Sequence, residues 1–210
     1  MTETLTLDRI MATAPVIPVL VVDDPAQARP LAAALVAGGL TVLEVTLRTP
    51  AALAVIAEMA TVPGAIVGAG TVLNPGDLAA AIGAGARFIV SPGLTDPLAR
   101  AAADAGIPFL PGITNAGDIM RGLDHGLTSF KFFPATASGG LPVLKALAAV
   151  FGNLRFCPTG GITLATAAEW LAQPFVTCVG GSWIAARGEN DYAAIEARAR
   201  AAAGLGGSIR

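Results

Sequence analysis

Val16-Ile17-Pro18-Val19-Leu20-Val21-Val22, followed by Pro25 to Ala37 and the pair Gly38-Gly39, sets the reading of the whole chain. The first seven residues are a short apolar run rich in β-branched side chains, which reads as a buried strand. The next segment reads as a helix, opened by a proline and stopped by glycines. The unit then recurs. Thr41 to Leu47 is a second strand with a helix from Pro50 to Ala60, and Ala65 to Thr71 a third with a helix from Pro75 to Ile82. Arg87 to Val90 precedes a helix from Asp96 to Ala105, and Pro108 to Leu110 precedes one from Ala116 to His125. Thr128 to Ala135 is the sixth strand, with a helix from Leu141 to Val150; Arg155 to Pro158 is the seventh, with a helix from Leu164 to Ala172. Val176 to Val179 is the eighth, and a last helix runs from about Asp191 to Ala203. Upstream, Leu5, Leu7, Ile10 and Met11 form a weak helical stripe, an N-terminal helix that packs on something larger.

Eight strand–helix units at a spacing of roughly 20–25 residues predict a closed (β/α)8 (TIM) barrel of the α/β class with an N-terminal helix, a fold whose usual size is ~250 residues. At 210 residues the chain leaves little for insertions, and residues 1–210 read as one domain. A doubly wound open sheet is the alternative; the count of eight and the lack of a G-x-G-x-x-G after the first strand disfavour it.

Composition narrows the function. With 54% hydrophobic and 13% charged residues the chain is not disordered, and a net charge of −2 gives no reason to expect nucleic acid as a partner. No apolar run approaches the ~18–20 residues of a membrane span. Met1 to Arg9 carries acids and no basic segment, so no signal peptide is expected and the protein reads as cytoplasmic. Cys157 and Cys178 have neither a C-x-x-C spacing nor a histidine cluster, and fit reduced core residues. His125 is the only histidine, which disfavours triads and His-based metal sites; near a helix end it reads as structural.

The chemistry-bearing oddity is Lys131, one of two lysines, inside Phe130-Lys131-Phe132-Phe133-Pro134. Burial disfavours an ammonium ion, and a neutral amine can form a Schiff base with a carbonyl. Strand alternation places Glu44, Thr46 and Arg48 on one face of strand two, with Leu43, Val45 and Leu47 toward the helices. Toward the barrel interior, Lys131 and Phe133 share a face, as do Ala69 and Thr71, and Cys157 and Thr159. Strands two and six lie across an eight-stranded barrel from each other, so Lys131 and Glu44 can meet near the axis. Such a contact is either an ion pair that plugs the core or an acid/base pair beside a nucleophile. Barrel interiors are normally filled by Val, Ile and Leu, which favours the second.

The site of this fold lies at the strand C-terminal ends. There, Thr159-Gly160-Gly161 and Gly180-Gly181-Ser182 offer backbone N–H groups to an anion, Arg48 is suited to grip a carboxylate, and Gly68-Ala69-Gly70-Thr71 lets a ligand approach the backbone.

Taken in order, these segments resemble the 2-keto-3-deoxy-6-phosphogluconate (KDPG) and 4-hydroxy-2-oxoglutarate (KHG) aldolase family. The matching stretches are Glu44 to Thr49, Val67 to Leu73, Ser91-Pro92-Gly93, Phe130 to Ala135, Phe156 to Ile162 and Gly180 to Trp183. The resemblance implies a class I aldolase without metal or other cofactor, a small-molecule 2-keto acid phosphate as substrate, and a homotrimer. It makes Lys131 the Schiff-base lysine and Glu44 the proton acceptor and donor. Arg48 and Thr71 would hold the carboxylate end of the substrate. Thr159, Gly160, Gly161, Gly181 and Ser182 would face the phosphate, and Pro92 and Phe133 would line the pocket. The implied reaction is cleavage of KDPG to pyruvate and D-glyceraldehyde 3-phosphate, and of KHG to pyruvate and glyoxylate. The galactonate-series aldolase, a phosphate-binding barrel such as a sugar-phosphate epimerase, and a barrel that only binds a phosphorylated metabolite are the alternatives.

Overall fold

The computed structural model describes residues 5–205, so the opening four residues of the segment read for a leader lie outside it. Helix α1 (Leu7–Ala12) begins at Thr6, whose hydroxyl accepts the Arg9 N–H as an N-cap. Strand β1 (Val16–Leu20) leads through a 3₁₀ turn, Pro25–Gln27, into α2 (Ala28–Ala37). There follow β2 (Val42–Thr46), α3 (Ala52–Met59), β3 (Ile66–Gly70), α4 (Pro75–Gly83), β4 (Ile89–Val90) and α5 (Asp96–Asp104). The second half holds β5 (Phe109–Leu110), β6 (Gly112–Ile113), α6 (Ala116–Asp124), β7 (Ser129–Phe132), α7 (Gly140–Val150), β8 (Arg155–Pro158), α8 (Leu164–Leu171), β9 (Val179–Gly181) and α9 (Tyr192–Ala203). No helix among the described residues is long and apolar enough to cross a membrane.

The strands pair in parallel throughout, in a curled α/β arrangement of a six-stranded sheet, β5-β4-β3-β2-β1-β9, and a three-stranded sheet, β6-β7-β8. Among the described residues nine strands stand where eight were expected, because the fifth is interrupted at Pro111. Proline has no N–H for a ladder. Before it, Phe109 and Leu110 pair with β4; after it, Gly112 and Ile113 pair with β7. Single bridges, Phe156 to Val176 and Thr159 to Gly180, run from β8 to the chain entering and forming β9. The last strand is Val179–Gly181 rather than Val176–Val179. Two glycines there carry the ladder to β1 with backbone alone.

Two apolar layers follow from strand alternation. Leu43, Val45, Val67, Ala69, Phe130, Phe132 and Phe156 belong to the large layer shared with the helices. A smaller inner layer contains Ile17, Val42, Phe88, Val90, Leu110, Cys157 and Cys178, with Ile10 and Met11 of α1 inserted into it, each 1% exposed. Burying two such side chains contributes about 1.5–3 kcal/mol each, which is why so short a helix is held in place.

The face assignment for strand two stands: Leu43 and Val45 look outward and Glu44 inward. For strand three it is overturned. Val67 and Ala69 face the helices, so the inward positions are Gly68 and Gly70. Thr71 misled the alternation. It lies past the strand end with φ 59°, in the left-handed region, and so is out of phase with the strand before it.

Candidate active site

Lys131 sits in β7, whose four residues are all buried, flanked in register by Gly112 on β6 and Cys157 on β8. Its Nζ donates to Glu44 Oε1 at 3.1 Å, and the two side chains are 5% and 4% exposed. The residues are 87 positions apart in sequence, and the pairing is made by the sheet alone. Desolvating both charges costs several kcal/mol per ion, which their attraction offsets only at short range. Nζ also lies 5.2 Å from the centroid of the half-buried Phe133 ring, a cation–π distance. Beside the pair, Cys178 and Cys157 are both free and buried. Their mutual hydrogen bond and then burial push the Cys178 thiol well up, so it stays protonated and unreactive. Both lie in the core as expected, while their spacing of 21 residues carries no sign that they adjoin.

The second group is a link above β2 and β3. Exposed Arg48 donates from Nε to Thr71 Oγ1 at 3.2 Å. A β-branched residue at positive φ costs about 1–3 kcal/mol, and such strain concentrates where a side chain must be aimed.

The third group follows β8 and β9. Gly160 (φ 101°) and Gly161 (φ 78°) take a backbone turn that only glycine adopts without strain. Thr136 Oγ1 donates to Gly160 O at 3.0 Å, and the Phe133 ring would lie 3.4 Å from a Cβ on Gly160. Thr159 is 5% exposed and bridges to Gly180, and Ser182 is exposed. Gly181 closes β9 and is buried. Its missing side chain points at the Trp183 ring, so only its backbone could serve a ligand. Pro92 lies beside Gly112, its carbonyl occupying the room a Cβ there would need, next to the strand of Lys131.

The chain beyond Ser182 is pinned by Arg198, which donates to Ile184 O at 2.8 Å and to Glu189 Oε1 at 2.6 Å, while Ala186 N–H reaches Glu189 Oε2 at 3.0 Å. The Arg198 guanidinium, then the Ala186 N–H, hold the Glu189 carboxyl below its ordinary value of 4.5. A carboxyl held low when folded stabilises the fold above that value and loses its contribution as pH falls below it. Between about pH 5 and about pH 3, the thermal midpoint of Glu189→Gln is therefore expected to fall less than that of the unsubstituted chain.

His125 caps α6 and contacts Asp96 Oδ1 at 3.2 Å, a structural role. Thr136 and the inward glycine Gly112 lie against these groups without having been singled out, and the inward Gly70, read for close approach of a ligand, lies beside Glu44. A glycine inside a strand run marks a close approach, and that signal was available for both.

A family model described as KDPG and KHG aldolase matches residues 7–198. A 2-dehydro-3-deoxy-phosphogluconate aldolase of Zymomonas mobilis is 57% identical over 196 residues, 93% of this chain and 94% of that protein. The crystal structure of the 2-keto-3-deoxy-6-phosphogluconate aldolase of Zymomonas mobilis ZM4 with 3-phosphoglycerate superposes with TM-score 0.94 at 55% identity, covering 97% of each chain. A KDPG aldolase from Legionella pneumophila, with pyruvate captured at low pH as a covalent carbinolamine intermediate, superposes with TM-score 0.92 at 43% identity, covering 96% of this chain and all of that one.

Proposed function

The chain belongs to the KDPG and KHG aldolase family, and from that membership we infer that it is an aldolase cleaving KDPG to pyruvate and D-glyceraldehyde 3-phosphate, with Lys131 as its Schiff-base residue. The observation that carries the assignment of Lys131 is its 3.1 Å contact with Glu44, two opposite charges nearly sealed from water where a barrel would hold aliphatic side chains.

Glu44 takes a proton from Lys131 Nζ, the free amine attacks C2 of the keto acid, and that proton leaves with the C2 hydroxyl as water, giving a protonated imine. Glu44, already in contact with the amine, is placed to shuttle its proton. Glu44 then takes the C4 hydroxyl proton, directly or through water. The C3–C4 bonding pair moves into the iminium, forming an enamine and releasing the aldehyde. Glu44 returns the proton to C3, and water hydrolyses the imine to pyruvate and free Lys131. The iminium is the electron sink, so no step calls for a metal. Arg48, aimed through its bond to Thr71, holds the carboxylate, while the backbone of Gly160, Gly161 and Gly181 with Thr159 and Ser182 receives the phosphate. Pro92 and Phe133 line the pocket between. Holding both ends fixes the C3–C4 bond relative to Lys131 and Glu44. KHG, with a carboxylate in place of the phosphate-bearing arm, is a second substrate of the same chemistry.

One domain with its two sheets joined as a closed (β/α)8 barrel is the architecture this reading uses. It is supported by the β8–β9 bridges and by the shared extended run of β5 and β6. A homotrimer of a cytoplasmic enzyme completes it.

Pyruvate with borohydride is expected to leave a reduced adduct on Lys131, located by peptide mass. Exposed Lys145 on α7 is the internal control. An adduct there, or none, would sink the assignment.

A further inference from the structure

Strand β3 reads Ile66-Val67-Gly68-Ala69-Gly70, with Val67 and Ala69 on the outward positions and, after Ile66 at its start, only glycines on the inward ones. Neither inward glycine has positive φ, so neither is needed for backbone freedom. What each provides is room. A Cβ on Gly68 would run into the Phe88 ring, an ordinary packing matter in the inner layer. A Cβ on Gly70 would fall on Glu44 Oε1, with Cγ and Cδ of the same side chain 2.7 Å away. The register explains this: Glu44 pairs with Gly68 and Thr46 with Gly70, so the Glu44 side chain, rising along the strands, lies over Gly70.

Elsewhere a carboxylate would swing aside from an added methyl at small cost. Here it cannot do so freely, because Oε1 is the atom that accepts from Lys131 Nζ at 3.1 Å, and both side chains are enclosed. The movement that relieves the clash is the movement that takes the base off the lysine.

We propose that Gly70 is a positioning residue for the reaction: the absent side chain is the seat of the Glu44 carboxylate, and it sets the placement of the proton carrier relative to the imine. The proposal rests on the assignment of Lys131 and Glu44 above. It replaces the expectation that this glycine serves close approach of a ligand to the backbone.

The experiment compares Gly70→Ala, Glu44→Asp and the double variant, reading kcat, KM for KDPG and borohydride trapping of pyruvate. Gly70→Ala is expected to lower kcat at least ~10²-fold, the lower end of what acid–base help supplies, while KM changes little and Lys131 is still trapped to completion. Aspartate is one methylene shorter and draws the carboxyl away from the added methyl. Glu44→Asp is therefore expected to slow the unsubstituted enzyme but to speed the Gly70→Ala variant. Gly70→Ala at full kcat would overturn the proposal. So would a Glu44→Asp penalty of the same factor in both backgrounds, since additivity means that the two positions do not interact. If Gly70→Ala alone does not fold, recovery of folding in the double variant supports the proposal, and failure of both overturns it. No trapping in the unsubstituted enzyme would instead overturn the aldolase reading, and the proposal with it.

Discussion

Lys131→Met is expected to reduce turnover to background and, separately, to cost the fold about 3–5 kcal/mol, because it leaves the Glu44 carboxylate enclosed with no partner. The two losses have different causes and can be parted. Removing both charges together, as Lys131→Met with Glu44→Leu, replaces a buried pair by apolar contacts, a change that is commonly neutral or stabilising by about 1–4 kcal/mol. The double variant should therefore regain most of the stability and none of the activity. Denaturant midpoints at constant m measure the first quantity, and pyruvate release coupled to NADH oxidation measures the second. A stable single variant would mean that Glu44 is not sealed as its 4% exposure indicates. Activity surviving in either variant would remove Lys131 from the chemistry.

Glu44→Gln has the second largest effect. Glutamine keeps the length of the side chain and an oxygen for the Lys131 Nζ contact, but it cannot accept and return a proton. Pyruvate should still be trapped on Lys131, while kcat falls by about 10²–10⁴-fold, the usual worth of a positioned acid–base group. Unaltered turnover would hand the proton transfers to another group. Failure to trap pyruvate would mean that the carboxylate is needed to form the imine as well as to break the carbon–carbon bond.

Much of this was legible in the chain because alternation is a strict rule for strands. Leu43 and Val45 had to face the helices, which turned Glu44 inward, and an inward acid needs a cation within reach. The strand count then placed Lys131 opposite. What could not be read was whatever depends on the absence of a side chain. Glycines carry no hydrophobic signal, so the inward face of β3 was assigned from Ala69 and Thr71, and it came out on the wrong side. The left-handed turn at Thr71, which lets that residue meet Arg48, is a backbone event that no side-chain periodicity reports. Pro111 likewise splits one extended run into two short ladders, and the closeness of Cys157 and Cys178 is set by neighbouring strands rather than by spacing in sequence.

Helix α1 has a consequence for traffic. Ile10 and Met11 are wedged among Ile17, Val42 and Phe88 in the inner layer, so on the reading proposed above the lysine is expected to be reached from the end away from α1. Substrate, hydrolytic water and both products use the same door. That makes the catalytic cycle a queue. The aldehyde must clear the passage before water can draw alongside the imine, and pyruvate is last out. Accumulated pyruvate then stands at the head of the queue and competes with incoming substrate, whereas accumulated aldehyde meets an enzyme already loaded and drives it backward.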